Sequence, residues 1–189
     1  MRNLTNPSPR VAALSAFVVA ATSTAGAVIH LTHETSSEST VVGSVEHIVL
    51  VLFSVMALAL IAPMMYLGRH AAGSVKPGIV TAAAALPLAI LAQISNVRGE
   101  DPAFFGAIAA PTNLAIFGAM VAIAVMASKR GFQPRWLVIA LPVVQIAALP
   151  LSQFGGMFVA AAYWLTLATW IHRSEQRAGA PAVTVPAAA

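Results

Sequence analysis

Charge is scarce in this sequence. Of 189 residues, ten are Lys or Arg and six are Asp or Glu, 8% in all, against the ~25% of a typical soluble domain. Sixteen charged side chains cannot cover a soluble fold of this size, which excludes a soluble enzyme, a disordered chain and a secreted disulfide scaffold. Cysteine is absent altogether, so structural disulfides, thiolate metal sites and cysteine nucleophiles are excluded too. There is no Walker loop, dinucleotide fingerprint, Asp-rich diphosphate-binding motif or GxSxG. The net charge is +4, yet the cations never form a stripe with interleaved aromatics. Nucleic acid is therefore not an expected partner.

What is present is apolar: 59% of the residues, with a mean hydropathy of +0.84. The fold class expected is all-α, a polytopic integral membrane protein. A helix needs about 20 mainly apolar residues to cross the ~30 Å hydrocarbon core. Such runs cover 11–31, 48–67, 78–94 and 103–127. From Trp136 the chain stays apolar to Ile171, too long for one span, and Pro150 with Gly155 and Gly156 divides it into 136–149 and 154–171. The expectation is a six-helix transmembrane domain over 11–172, a short segment 1–10 before it, and a disordered tail over 173–189. The first run also resembles a signal peptide, with Arg2 and Arg10 before it and Ala25-Gly26-Ala27 as a cleavage-like site, but its length suits a retained span. No internal repeat stands out.

Charge placement supports the count. With six spans, nine of the ten cations (all but Arg98) fall on one face, and five of the six acids (all but Glu175) on the other. By the positive-inside rule the basic face, with both termini, is cytoplasmic, and the expected location is the cell membrane. Tyr66, Trp136 and Trp170 fall at the inner boundary, as interfacial aromatics do.

Polar groups in lipid cost free energy unless they find partners, so each is a candidate site. At 1.5 Å rise per residue, Asn113 and Gln145 lie at similar depth near the midplane, where two carboxamides can bond across a helix pair or form the floor of a pocket. Pro63, Pro87, Pro111 and Pro142 each interrupt a span and leave a carbonyl without its helical donor. Pro111 adjoins Thr112 and Asn113, so a kink, a free carbonyl and an amide coincide there.

A second group gathers at the acidic edge: His30, His33 and Glu34 after the first span, Glu46 and His47 opening the second, and Gln93 and Asn96 closing the third, with Glu100 and Asp101 just beyond. His30, His33 and His47 are metal candidates by residue type, without an HExxH motif. A carboxyl at the lipid edge instead has its pKa raised by desolvation and becomes a general acid. Glu46 adjoins the apolar run from Ile48 and heads that list, with Asp101 and His30 as further catalytic candidates. His47, next door, is expected to point elsewhere around the helix. His70 and His172 read as interfacial.

These observations favour a membrane-embedded enzyme acting on a lipid-soluble, isoprenoid-like substrate by acid-initiated chemistry such as terpene cyclisation. Asn113, Gln145, Thr112, Gln93 and Asn96 would bind the substrate, with no cofactor. Fold-level analogy to small polytopic terpene cyclases is the basis for naming that chemistry. Two other classes compete. A transporter for a small solute, proton or metal ion needs a polar path, for which Thr22, Ser23 and Thr24 are available, but no charged residue lies in the centre of any span. A non-catalytic interaction or immunity protein would use small faces such as Gly106 and Ala110.

Overall fold

A computed structural model describes residues 7–33, 43–148, 151 and 154–179. Among them are seven helical segments and no strand: α1 (Pro9–Thr32), α2 (Ser44–Ala59), α3 (Ile61–His70), α4 (Lys76–Arg98), α5 (Phe105–Lys129), α6 (Arg135–Ala148) and α7 (Gly156–Gly179). Local chemistry accounts for several of the ends. Ser8 accepts from the Val11 N–H at 3.3 Å and Pro9 occupies the first turn of α1, where its missing N–H costs nothing. α4 stops at Gly99, whose φ of 72° suits a residue without a Cβ.

Among the described residues, four helices are long and apolar enough to cross a membrane: α1, α2 with α3 taken as one rod, α4 and α5. α6 is apolar but shorter. Helices occupy all six expected stretches with shifted ends, though α6 and α7 are not among the four long enough and apolar enough to cross a membrane, and two differences from the expectation have physical causes. The run expected at 48–67 is broken at Leu60 between α2 and α3, three residues before Pro63, which has no N–H for the Ala59 carbonyl and opens the stretch buried against α4. Leu60 shares its N–H between Leu58 and Met56. α4, α5 and α6 run unbroken through Pro87, Pro111 and Pro142, so those prolines do not interrupt their helices. The last helix continues to Gly179, so the first part of the expected 173–189 tail is helical; residues 180–189 lie outside the described part.

The helices form an antiparallel bundle in which chain neighbours pack and the last returns to the first. Arg10 at the start of α1 pairs with Glu175 near the end of α7, 3.2 Å apart. Further along the same pair, a Cβ at Gly26 would stand 2.8 Å from the Met157 methyl. The buried face of α1 is built from Ala12, Ala13, Ala16, Ala20, Ser23 and Gly26, with Val19 its largest member. Small residues let helix backbones approach where no hydrophobic drive between helices exists. α3 meets α4 still more closely: a Cβ at Gly78 would lie 2.6 Å from the Met65 Cα. Six consecutive residues, Pro63 to Gly68, are buried there, against only Ser54 and Ala57 in all of α2. The core is completed by Trp164, Met64, Leu67, Met120 and Ile123, each almost fully enclosed. The exterior is apolar as well, with Leu114 70%, Leu14 65% and Ile90 60% exposed.

Candidate functional site

One end of the bundle gathers Arg10, Arg69, Lys76, Lys129, Arg130, Arg135 and Arg173; the other gathers His30, His33, Glu46, His47, Glu100 and Asp101. At the second end, α2 and α4 are stitched by side-chain hydrogen bonds. His47, in the first turn of α2, bonds through Nδ1 to Oδ1 of Asn96 on α4. Asn96 Nδ2 donates to Gln93 Oε1 at 3.3 Å, one turn along the same helix. Gln93 Nε2 donates back across the seam to Ser54 Oγ at 2.7 Å. The Ser54 hydroxyl faces two carbonyls, Leu50 at 2.9 Å and Ala89 at 3.3 Å.

Every bond in this ladder points the same way. An amide oxygen only accepts, so the Asn96 contact places a proton on His47 Nδ1. Each later donor then faces inward, and the chain ends on helix carbonyls that only accept. In the neutral ring, His47 Nε2 is left with the lone pair, as in sites where the partner of one ring nitrogen sets the role of the other. Gln93 and Ser54 are partly to fully shielded, whereas the His47 ring is exposed. The ladder therefore has an exposed head and a buried foot.

Ser54 lies ten residues from the start of α2, about 15 Å in at 1.5 Å per residue. Beyond it the seam is apolar and closed: Ala57, Ala85 and Leu88 are all buried. The next polar side chain inward on α4, Thr81, is bonded to its own Pro77 carbonyl at 2.9 Å. Ser95, wholly buried on α4, has no hydrogen-bond partner for its hydroxyl among the described residues.

The remaining sequence candidates fall around this ladder or away from it. Glu46 is half-buried in the first turn of α2 with its carboxylate folded over Gly43, where a Cβ would stand 2.6 Å from Oε2. A negative charge there also favours the helix N-terminus. His30 is half-buried in the last turn of α1, and exposed His33 follows it with Nδ1 2.9 Å from the Thr32 hydroxyl. Asp101 stands half-buried in the α4–α5 connection, after the exposed Arg98–Glu100 pair at 3.3 Å. Glu34 lies outside the described residues. Among those described, no three His, Asp or Glu come together as a metal site would require.

The midplane carboxamides do not meet. Asn113 is exposed and donates to the Ala109 carbonyl of its own helix at 2.9 Å, and Thr112 bonds to Ile108 and Ala109. Gln145 is half-buried on α6. Gln93 and Asn96 are brought together by a hydrogen bond along α4. His47 faces Asn96 while Glu46 beside it folds over Gly43, and Ser54, which no motif marked, supplies the foot of the ladder. The signal for Ser54 was its spacing: 47 and 54 are seven residues apart and so share one helix face.

No protein-family model, no curated protein and no solved structure matches this chain.

Proposed function

We propose that the chain is a six-span integral membrane protein, its basic end and both termini cytoplasmic, and that it is an enzyme acting on a lipid-soluble substrate at the opposite edge of the bilayer. His47 is the acid–base group, Glu46 is its charged neighbour, and Asn96 is the positioning residue. The single observation carrying this reading is the one-directional ladder, which holds a histidine at the mouth of an apolar seam with one nitrogen protonated and the other open. General acid–base catalysis asks for that arrangement. The apolar exterior favours a substrate that arrives through lipid, isoprenoids being one such class. A solute path gains less support, because the ladder stops about halfway and the Thr22 and Thr24 hydroxyls are bonded to carbonyls of their own helix.

The test compares apolar extracts of membranes carrying the wild-type chain, His47→Gln or Asn96→Leu. The expected result is a lipid-soluble species consumed and a product gained in the wild type, and both changes reduced in the variants. Turnover should fall about 10²- to 10⁴-fold for His47→Gln and by less for Asn96→Leu, which keeps the imidazole and removes only the partner that orients it. Identical profiles for wild type and His47→Gln overturn the reading.

A further inference from the structure

At the basic end, the start of α6 and the last turns of α7 carry between them a groove of about 410 Å³ lined by Trp136, Leu165, Thr166, Thr169, Trp170 and Arg173. Its volume falls in the range of small-molecule sites. The two threonine hydroxyls donate to carbonyls of α7 itself, to Ala162 and Leu165 at 2.8 Å each, so toward the groove they offer only oxygen. Arg173 is exposed and has no acid partner among the described residues. The α1–α7 groove alongside, about 840 Å³, differs in this respect: its Arg10 is already held by Glu175.

We propose that the α6–α7 groove binds the headgroup of an anionic phospholipid. The phosphate sits on the Arg173 guanidinium, whose forked donors match phosphate oxygens. The glycerol region lies between the indoles of Trp136 and Trp170, rings that favour the headgroup level, and the acyl chains run over Leu165. Charge decides the class of lipid. Arg135 adjoins Trp136, Lys129 and Arg130 belong to the same end, and the one acid described there, Glu175, is already paired. Basic pockets between helices on the cytoplasmic side take anionic headgroups for this reason.

The inference rests on the membrane-spanning part of the reading above, not on its chemistry. The full chain is reconstituted in phosphatidylcholine nanodiscs doped with brominated phosphatidylglycerol or brominated phosphatidylcholine, and tryptophan quenching is read. Trp164, buried in the core, supplies the unquenched background. Brominated phosphatidylglycerol is expected to quench more strongly than brominated phosphatidylcholine. Arg173→Gln should weaken that preference about fivefold, the weight of one basic residue near an anionic surface. Thr166→Phe, which fills the groove at unchanged charge, should weaken it as well, while Arg69→Gln, at the same end but outside the groove, should not. Equal quenching by both lipids overturns the inference, as does full preference in Thr166→Phe or an equal loss in Arg69→Gln. Absence of quenching by either lipid would instead overturn the membrane-spanning reading beneath it.

Discussion

Two glycines show how much a single methyl group depends on what it meets. At Gly78 the added carbon would meet Met65 backbone, 2.6 Å from Cα and 2.9 Å from N, and backbone cannot step aside without moving α3. At Gly26 it would meet only the end of the Met157 side chain, 2.8 Å away, which can adopt another rotamer. Gly78→Ala should therefore lower stability by about 1–3 kcal/mol, while Gly26→Ala should leave it nearly unchanged. Thermal unfolding of the two variants in the same detergent is the comparison that checks this. Neither outcome was legible in the sequence, where both positions are glycine in an apolar run. The ladder was legible only in part. Gln93 and Asn96 stood out as polar residues closing a helix three positions apart, but their bonds to His47 and Ser54 cross between helices. Sequence periodicity is blind to which faces end up opposed. Asn113 and Gln145 failed to pair for the same reason: similar depth says nothing about azimuth.

Among the elements, the prolines carry the clearest lesson. Four of them sit within apolar runs and send the same sequence signal, yet only Pro63 coincides with a break. Its neighbours differ: the six residues from Pro63 to Gly68 are drawn into the core against α4, whereas α2 lies mostly at the surface. The break falls between two packing surfaces, the α2 seam of the ladder and the tight α3–α4 contact at Gly78. Pro63→Ala restores a donor to the Ala59 carbonyl and should raise hydrogen-exchange protection across residues 60–64. Unchanged protection would instead assign the break to the pull of the α3–α4 contact. The helices themselves were readable because hydropathy and length set them. Their exact ends were less so, since the last turns, such as α7 to Gly179, leave the apolar run and continue on helix propensity.

For the whole molecule, the scarcity of charge and its sorting reduce to one arrangement: all the cations but Arg98 at one end, all the acids but Glu175 at the other with three of the five histidines, and apolar walls between them. That much was visible in the order of the residues, because topology alternates strictly with each helix. The closure of the bundle was not, because nothing local states that the last helix returns to the first. That closure bears on how the protein is made. The small-residue face of α1, from Ala12 to Gly26, emerges first, yet its cover, α7, is synthesised last. For most of translation the part of that face that α7 covers stands open, although α2 reaches it at Ser23 through Met56 Sδ, and a surface of small residues suits close packing by any passing helix. A chain stopped after Ala148 should be cleared several times faster than the full chain in a pulse–chase experiment, with α1 intact but unclasped. The final helix thus acts as a timer on assembly: until it arrives, the first helix is available to the wrong neighbour.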